Sequence, residues 1–137
     1  MDVRRLPGYP KITQNDAGTM RHIESGLQKA CVFWFRIQYP SMASSLFSVP
    51  NGGWRSPVEA AIMKGEGMVA GVADLILLMP NGNHHALCIE MKRPGGKQSE
   101  SQKEWQKEVE SHGYAYAVVC YFEEFKQLIT DYFHDMI

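Results

Sequence analysis

From Thr19 the apolar positions recur at helical spacing, with Ile23, Leu27, Ala30, Cys31 and Trp34 separated by four, three, one and three residues. This predicts a first helix that ends before Pro40. The preceding residues 1–17, with Pro7, Gly8, Pro10, Asn15 and Asp16 and no period, predict an irregular N-terminal arm to a single domain over 18–137. Leu46 to Val49 reads as a short strand closed by Pro50-Asn51-Gly52-Gly53. Ser56-Pro57-Val58-Glu59 combines an N-cap serine, a proline at the first helical position and a glutamate at the third, predicting a helix of about two turns that stops near Gly65 or Gly67.

Beyond it the period changes. Ala73–Met79 and His85–Met91 are apolar on both alternating faces, so both strands should be covered on both sides. Asn81-Gly82-Asn83 between them predicts a hairpin turn. Pro94-Gly95-Gly96 breaks the chain, Ser99 to Gln102 offers a second cap, and a polar helix then runs to His112-Gly113. Tyr114–Phe122 reads as a buried strand, and Glu123 and Glu124 open a last helix with Phe125, Leu128, Ile129 and Phe133 on one stripe. The order predicts an α/β fold, a mixed central sheet flanked by helices.

Composition changes this picture little. The chain has 137 residues, 45% hydrophobic and 21% charged, as one compact domain requires, with no run of the ~20 apolar residues that a membrane span needs. Arg4, Arg5, Pro7 and Pro10 leave no room for a signal peptide, so the expected location is the cytoplasm. Cys31, Cys88 and Cys120 are odd in number and far apart, which predicts buried reduced thiols rather than disulfides or a metal knuckle. A net charge of -1 excludes a generic polyanion binder, so any attraction for nucleic acid must come from local clusters such as Lys92, Arg93, Lys97, Lys103 and Lys107, or Arg4, Arg5, Lys11 and Arg21.

The chemistry lies in charges that interrupt apolar strands. Glu90 and Lys92 sit two apart in Leu87-Cys88-Ile89-Glu90-Met91-Lys92 and so share one face, and Asp74 opens the preceding strand. Residues opposite each other in a hairpin centred on Gly82 have numbers that sum to 164, as Asp74 and Glu90 do. A three-residue loop would set the two carboxylates across the ladder, with Cβ atoms ~5 Å apart. A two-residue turn would send them to opposite faces. Carboxylates that close repel unless one is protonated or a divalent cation lies between them, and Mg²⁺ or Mn²⁺ suits such a pair. Lys92 beside them would orient an attacking water and steady charge on a phosphate. The competing reading is an ion-pair cluster without chemistry, for which burying three charges is a poor route to stability.

Gly67-Met68-Val69-Ala70-Gly71-Val72-Ala73-Asp74, Ile89 to Pro94 and Gln98 to Gln102, with Glu24 and Pro50-Asn51-Gly52 in the same order, resemble the VRR-NUC family of virus-type replication-repair nucleases. That family has the restriction-endonuclease-like PD-(D/E)XK core. The resemblance implies that Asp74, Glu90 and the main-chain carbonyl of Met91 bind metal and that Lys92 is the catalytic lysine. Glu24 and Gln102 would complete the site from flanking helices. Ala73 stands where the family has proline. The resemblance further implies a homodimeric, virus- or phage-encoded Holliday-junction resolvase acting on branched DNA, with a flap or nicking endonuclease and a non-catalytic DNA-binding subunit as rivals.

Lys64, Arg93, Lys97, Lys103 and Asn51 are candidate DNA contacts, although a solvated face, or for Asn51 the turn before Gly52, explains them equally well. Gln102 has a competing role as the third residue of a capping box. His84 and His85 are adjacent and cannot share a strand face, which makes them loop or edge residues rather than ligands. Trp34, Trp54 and Trp105 read as packing residues, with Trp54 in a polar turn the exception.

Overall fold

The computed structural model describes residues 5–8, 20–50 and 55–137. The expected arm over 1–17 falls largely outside these residues, as do Asn51 and Trp54. Helix α1 (Met20–Gln38) leads through a short 3-10 turn (Pro40–Ser45) into strand β1 (Leu46–Ser48), then α2 (Pro57–Gly65). Strands β2 (Leu75–Leu77) and β3 (Leu87–Met91), helix α3 (Glu100–Ser111), strand β4 (Ala115–Val119) and helix α4 (Phe122–Phe133) follow. The strands form one mixed sheet in the order β1-β2-β3-β4, antiparallel except for the parallel β3/β4 pair.

Parity along the strands sorts the sheet into two faces. Leu75, Leu77, Leu87, Ile89, Met91 and Val119 point to a core shared with Leu27, Cys31, Trp34 and Phe35 of α1 and Phe125, Ile129 and Tyr132 of α4. Burying side chains of this size stabilises the fold by about 2 kcal/mol each. Trp34 packs edge-on against Tyr39, Phe122 and Phe125, with ring centroids 6.0–6.5 Å apart. The opposite face carries Cys88 and Glu90, which the ladder pairs with Tyr116 and Val118 of β4. Helix α3 lies on the β4 side, where Trp105 meets Tyr116 edge-on at 6.1 Å, and none of its residues is fully buried.

Both predicted capping boxes form. Ser56 Oγ accepts from the Glu59 N–H while Glu59 accepts from the Ser56 N–H, and Ser99 and Gln102 repeat the arrangement. For α2, which buries no residue, this cap and Pro57 replace packing as the source of local order.

Four expectations need correction. The β2/β3 register is the one that sums to 164 (Leu75↔Ile89, Ile76↔Cys88, Leu77↔Leu87), but no tight three-residue turn makes it. The strands are shorter than predicted and residues 78–86 join them as an irregular loop. Asn81 Oδ1 accepts from the N–H groups of Asn83 and His84, while Gly82 N–H donates to Asp135 Oδ1 at 2.6 Å. The loop tip is therefore anchored on Asp135, just beyond α4, while the hydroxyl of Tyr132 within α4 donates to the Met79 carbonyl. Strand β4 is not buried throughout: as an edge strand covered only in part by α3, it leaves Val118 40% exposed. Cys31 and Cys88 are buried, but Cys120, just beyond β4, is only half-buried. The stripe of α4 also omitted Tyr132, which is fully buried because its hydroxyl has the Met79 carbonyl as partner.

Candidate active site

Asp74 stands at the mouth of β2, one residue ahead of Leu75. Its main-chain carbonyl accepts from Val49 N–H at 2.9 Å, and its Oδ2 accepts from Met91 N–H at 2.7 Å. The carboxylate thus reaches across the ladder to the main chain of β3 beside Glu90. The approach to Asp74 depends on Gly71, which has φ +84° and lies so close to α3 that a Cβ would overlap the Ser101 carbonyl. Only glycine lets this loop rest on the first turn of α3.

Glu90, the second-last residue of β3, is 2% exposed. Its carboxyl lies against that of Asp74, and its pKa is pushed up to about 8, mainly by burial and then by the hydrogen bond and charge of Asp74; Lys92 and Tyr116 oppose the shift. Around neutral pH the metal-free pair therefore keeps a proton on Glu90, as expected for two carboxyls in one dry site. Oε1 of Glu90 accepts from Gln102 Nε2 at 3.1 Å and faces Lys92 Nζ at 3.9 Å. Oε2 faces the Tyr116 hydroxyl at 3.4 Å. Lys92 extends the same face, with its side chain 13% exposed and its N–H donating to the Val119 carbonyl.

Gln102 carries both roles that its sequence position offered. Its Oε1 accepts from Ser99 N–H at 2.8 Å, closing the cap of α3, while its Nε2 donates to Glu90. Glu24 reaches the end of β3 from α1, where its Oε1 accepts from Arg93 N–H at 3.2 Å. The structure thus gathers Asp74, Glu90, Lys92 and Gln102 into one cluster, with Met91 contributing main chain and Glu24 contacting the strand just past Lys92.

The surface candidates stand apart from this cluster in character. Lys64 is exposed in the last turn of α2, Lys97 is exposed, and Lys103 is paired with Glu100 at 3.1 Å. The Arg93 side chain is half-buried. His84 and His85 lie in the loop after β2, as expected. Among the described residues no group of three or more His, Cys, Asp or Glu is arranged to hold a metal ion. No helix among them is long and apolar enough to cross a membrane.

Sequence reasoning gave no role to Tyr116 or Gln106, and quoted Gln98 only within the stretch that carries the family resemblance. Gln98 Nε2 donates to both Gln106 Oε1 at 2.9 Å and Tyr116 Oη at 3.2 Å. The only sequence signal was a phenol inside an apolar strand, and its meaning depends on β4 lying parallel beside β3.

The family model for the VRR-NUC domain matches residues 13–121. A solved structure described as a VRR_NUC domain protein is 24% identical and covers 81% of this chain and 88% of its own, with a TM-score of 0.71; at that identity it speaks for the fold. No curated protein matches the chain. A match over most of the length, on a mixed sheet of the same architecture, means that this chain belongs to the VRR-NUC family, a family of nucleases.

Proposed function

We propose that this chain is a metal-dependent DNA endonuclease, and that its substrate is a branched molecule of the four-way-junction type. The observation that carries the reading is the Asp74–Glu90 pair. Two hard oxygen donors meet in a site so dry that one of them keeps a proton to about pH 8, and a divalent cation can take the place of that proton. The donor set suits the ion: Asp74 and Glu90, with the main-chain carbonyl of Met91, would hold Mg²⁺ or Mn²⁺ and leave other positions for water and phosphate oxygens. When bound, the cation supplies charge against the phosphate and makes water more acidic.

The chain's own residues do the rest. Lys92, on the same face and 3.9 Å from Glu90, orients the attacking water and steadies charge on the phosphate oxygens. Gln102 keeps Glu90 Oε1 in place, and Glu24 supports the strand end at Arg93. Arg93, Lys97, Lys64, Lys103 and Asn51 are the proposed phosphate contacts outside the centre. Hydrolysis leaves a 5′-phosphate and a 3′-hydroxyl. Resolving a symmetric junction takes two cuts, and hence two copies of this site in a homodimer.

Labelled four-way junction, flap, nicked and linear duplexes at matched salt, with Mg²⁺ or Mn²⁺, test this directly. The junction should be cut, and Asp74→Ala, Glu90→Ala and Lys92→Ala should fold without cutting. Preference for flap or nick would move the substrate class. Binding without cleavage in any divalent ion would make the chain a DNA-binding subunit, and normal cleavage by Lys92→Ala would remove the mechanism.

A further inference from the structure

Glu90 has two carboxylate oxygens, and the structure holds them from different sides. Oε1 receives Gln102 Nε2 from α3 and faces Lys92 from its own strand. Oε2 meets the Tyr116 hydroxyl, which comes from β4, the neighbouring parallel strand. Parallel pairing sets Tyr116 opposite Cys88 on the face that carries Glu90, and the long phenol spans the two-residue offset.

Tyr116 is itself fixed. Gln98 Nε2 donates to its oxygen at 3.2 Å, occupying a lone pair and leaving the hydroxyl proton free to point at Glu90. Gln98 is anchored in turn by Gln106 Oε1 at 2.9 Å, and the Trp105 ring abuts the phenol edge-on at 6.1 Å. A carboxylate held at only one oxygen can rotate about its last bond, whereas one held at both presents a single orientation to Asp74.

We infer that Tyr116, braced by Gln98 and Trp105, is a positioning residue that fixes Glu90 Oε2 and so sets the affinity of the Asp74–Glu90 pair for a divalent cation. The inference rests on the proposed metal-dependent reading of that pair. Its role is indirect: Tyr116 acts through Glu90. Outer partners of metal ligands typically change metal affinity by about ten-fold or more. Tyr116→Phe removes one oxygen and keeps the ring that packs on Trp105.

The test is calorimetric titration of the full chain with Mn²⁺, alongside melting in chelator and cleavage rate against Mn²⁺ concentration. Tyr116→Phe should bind Mn²⁺ about ten-fold more weakly and need about ten-fold more Mn²⁺ for half-maximal cleavage, with its plateau rate within about two-fold of wild type and its melting temperature unchanged. Gln98→Leu should move the binding the same way by about three-fold, because it frees the hydroxyl to rotate. Wild-type Mn²⁺ affinity in Tyr116→Phe overturns the inference and leaves the nuclease reading intact. A fall in plateau rate and melting temperature together makes Tyr116 a packing residue and also overturns it. Absence of Mn²⁺ binding by the wild type, identical to Asp74→Ala, overturns both the inference and the metal-dependent reading.

Discussion

Replacing Glu90 by glutamine should make the metal-free protein more stable at neutral and alkaline pH, although it removes a proposed catalytic group. Glu90 loses its proton near 4.5 in an ordinary environment and near 8 in the fold, first because it is buried and then because Asp74 lies against it. Between those values the folded chain holds a proton that the unfolded chain has released. The fold is therefore most stable below the lower value and weakens as pH rises through the upper one. At about 1.4 kcal/mol per pH unit, the penalty is about 1 kcal/mol at pH 5, about 3 kcal/mol at pH 7 and about 5 kcal/mol above pH 8. Glutamine is close in shape to the protonated acid and carries no charge at any pH, so it escapes the penalty, while its single oxygen can accept from Gln102 or from Tyr116 but not from both. Thermal melts in chelator from pH 5 to 9 should show wild type and Glu90→Gln nearly together at pH 5. At pH 7 the variant should melt about 10 °C higher. Added Mn²⁺ should raise the wild type and leave the variant nearly unmoved. Parallel melting profiles from pH 5 to 8, or a variant less stable at pH 8, would refute the account of Glu90 as a carboxyl strained by its partner.

Three further perturbations separate the parts of the site. Gly71→Ala places a Cβ against the Ser101 carbonyl at a residue with φ +84°, so we expect a loss of at least about 2 kcal/mol by denaturant titration and weaker cleavage as the loop before Asp74 lifts from α3. Lys92→Met should stay within about 1 kcal/mol of wild-type stability at pH 6, since methionine fills similar space, while the cleavage rate at saturating Mn²⁺ falls by at least about 100-fold. Gln102→Glu preserves the cap on Ser99 but replaces the donor to Glu90 with a third acid. Its circular dichroism should match wild type while Mn²⁺ affinity drops, whereas equal losses in both would mean that the cap is the residue's whole role.

The parts of this site that were legible in sequence are those governed by short-range periodicity. The Asp74–Glu90 register is legible from strand parity, and the turn is not what sets it. Leu75, Leu77, Leu87 and Ile89 must all face the α1/α4 core, and a slip of one residue between the strands would turn one strand's pair to the opposite face. The register held while residues 78–86 took another course, because the anchors of that loop, Tyr132 and Asp135, lie far along the chain. Both capping boxes were legible because their donors and acceptors sit three residues apart. Tyr116 was not, since its meaning needs β4 beside β3, a pairing across the whole of α3. Gly71 announced a special backbone position, but nothing local names Ser101 as the wall it touches. The exposure of Val118 follows from edge position, which topology alone decides.

The divided amide of Gln102 ties the readiness of the site to a small and separable piece of the fold. Its oxygen is committed to Ser99 and its nitrogen to Glu90, so the amide cannot flip without breaking both bonds. Fraying of the first turn of α3, which buries no residue, is a local opening that costs far less than melting the sheet. On warming, cleavage should therefore decline several degrees below the global transition. Native-state hydrogen exchange at the main-chain N–H of Gln102, which donates to Ser99 Oγ, should follow the same curve and mark the first turn of α3 as the thermal fuse of the enzyme.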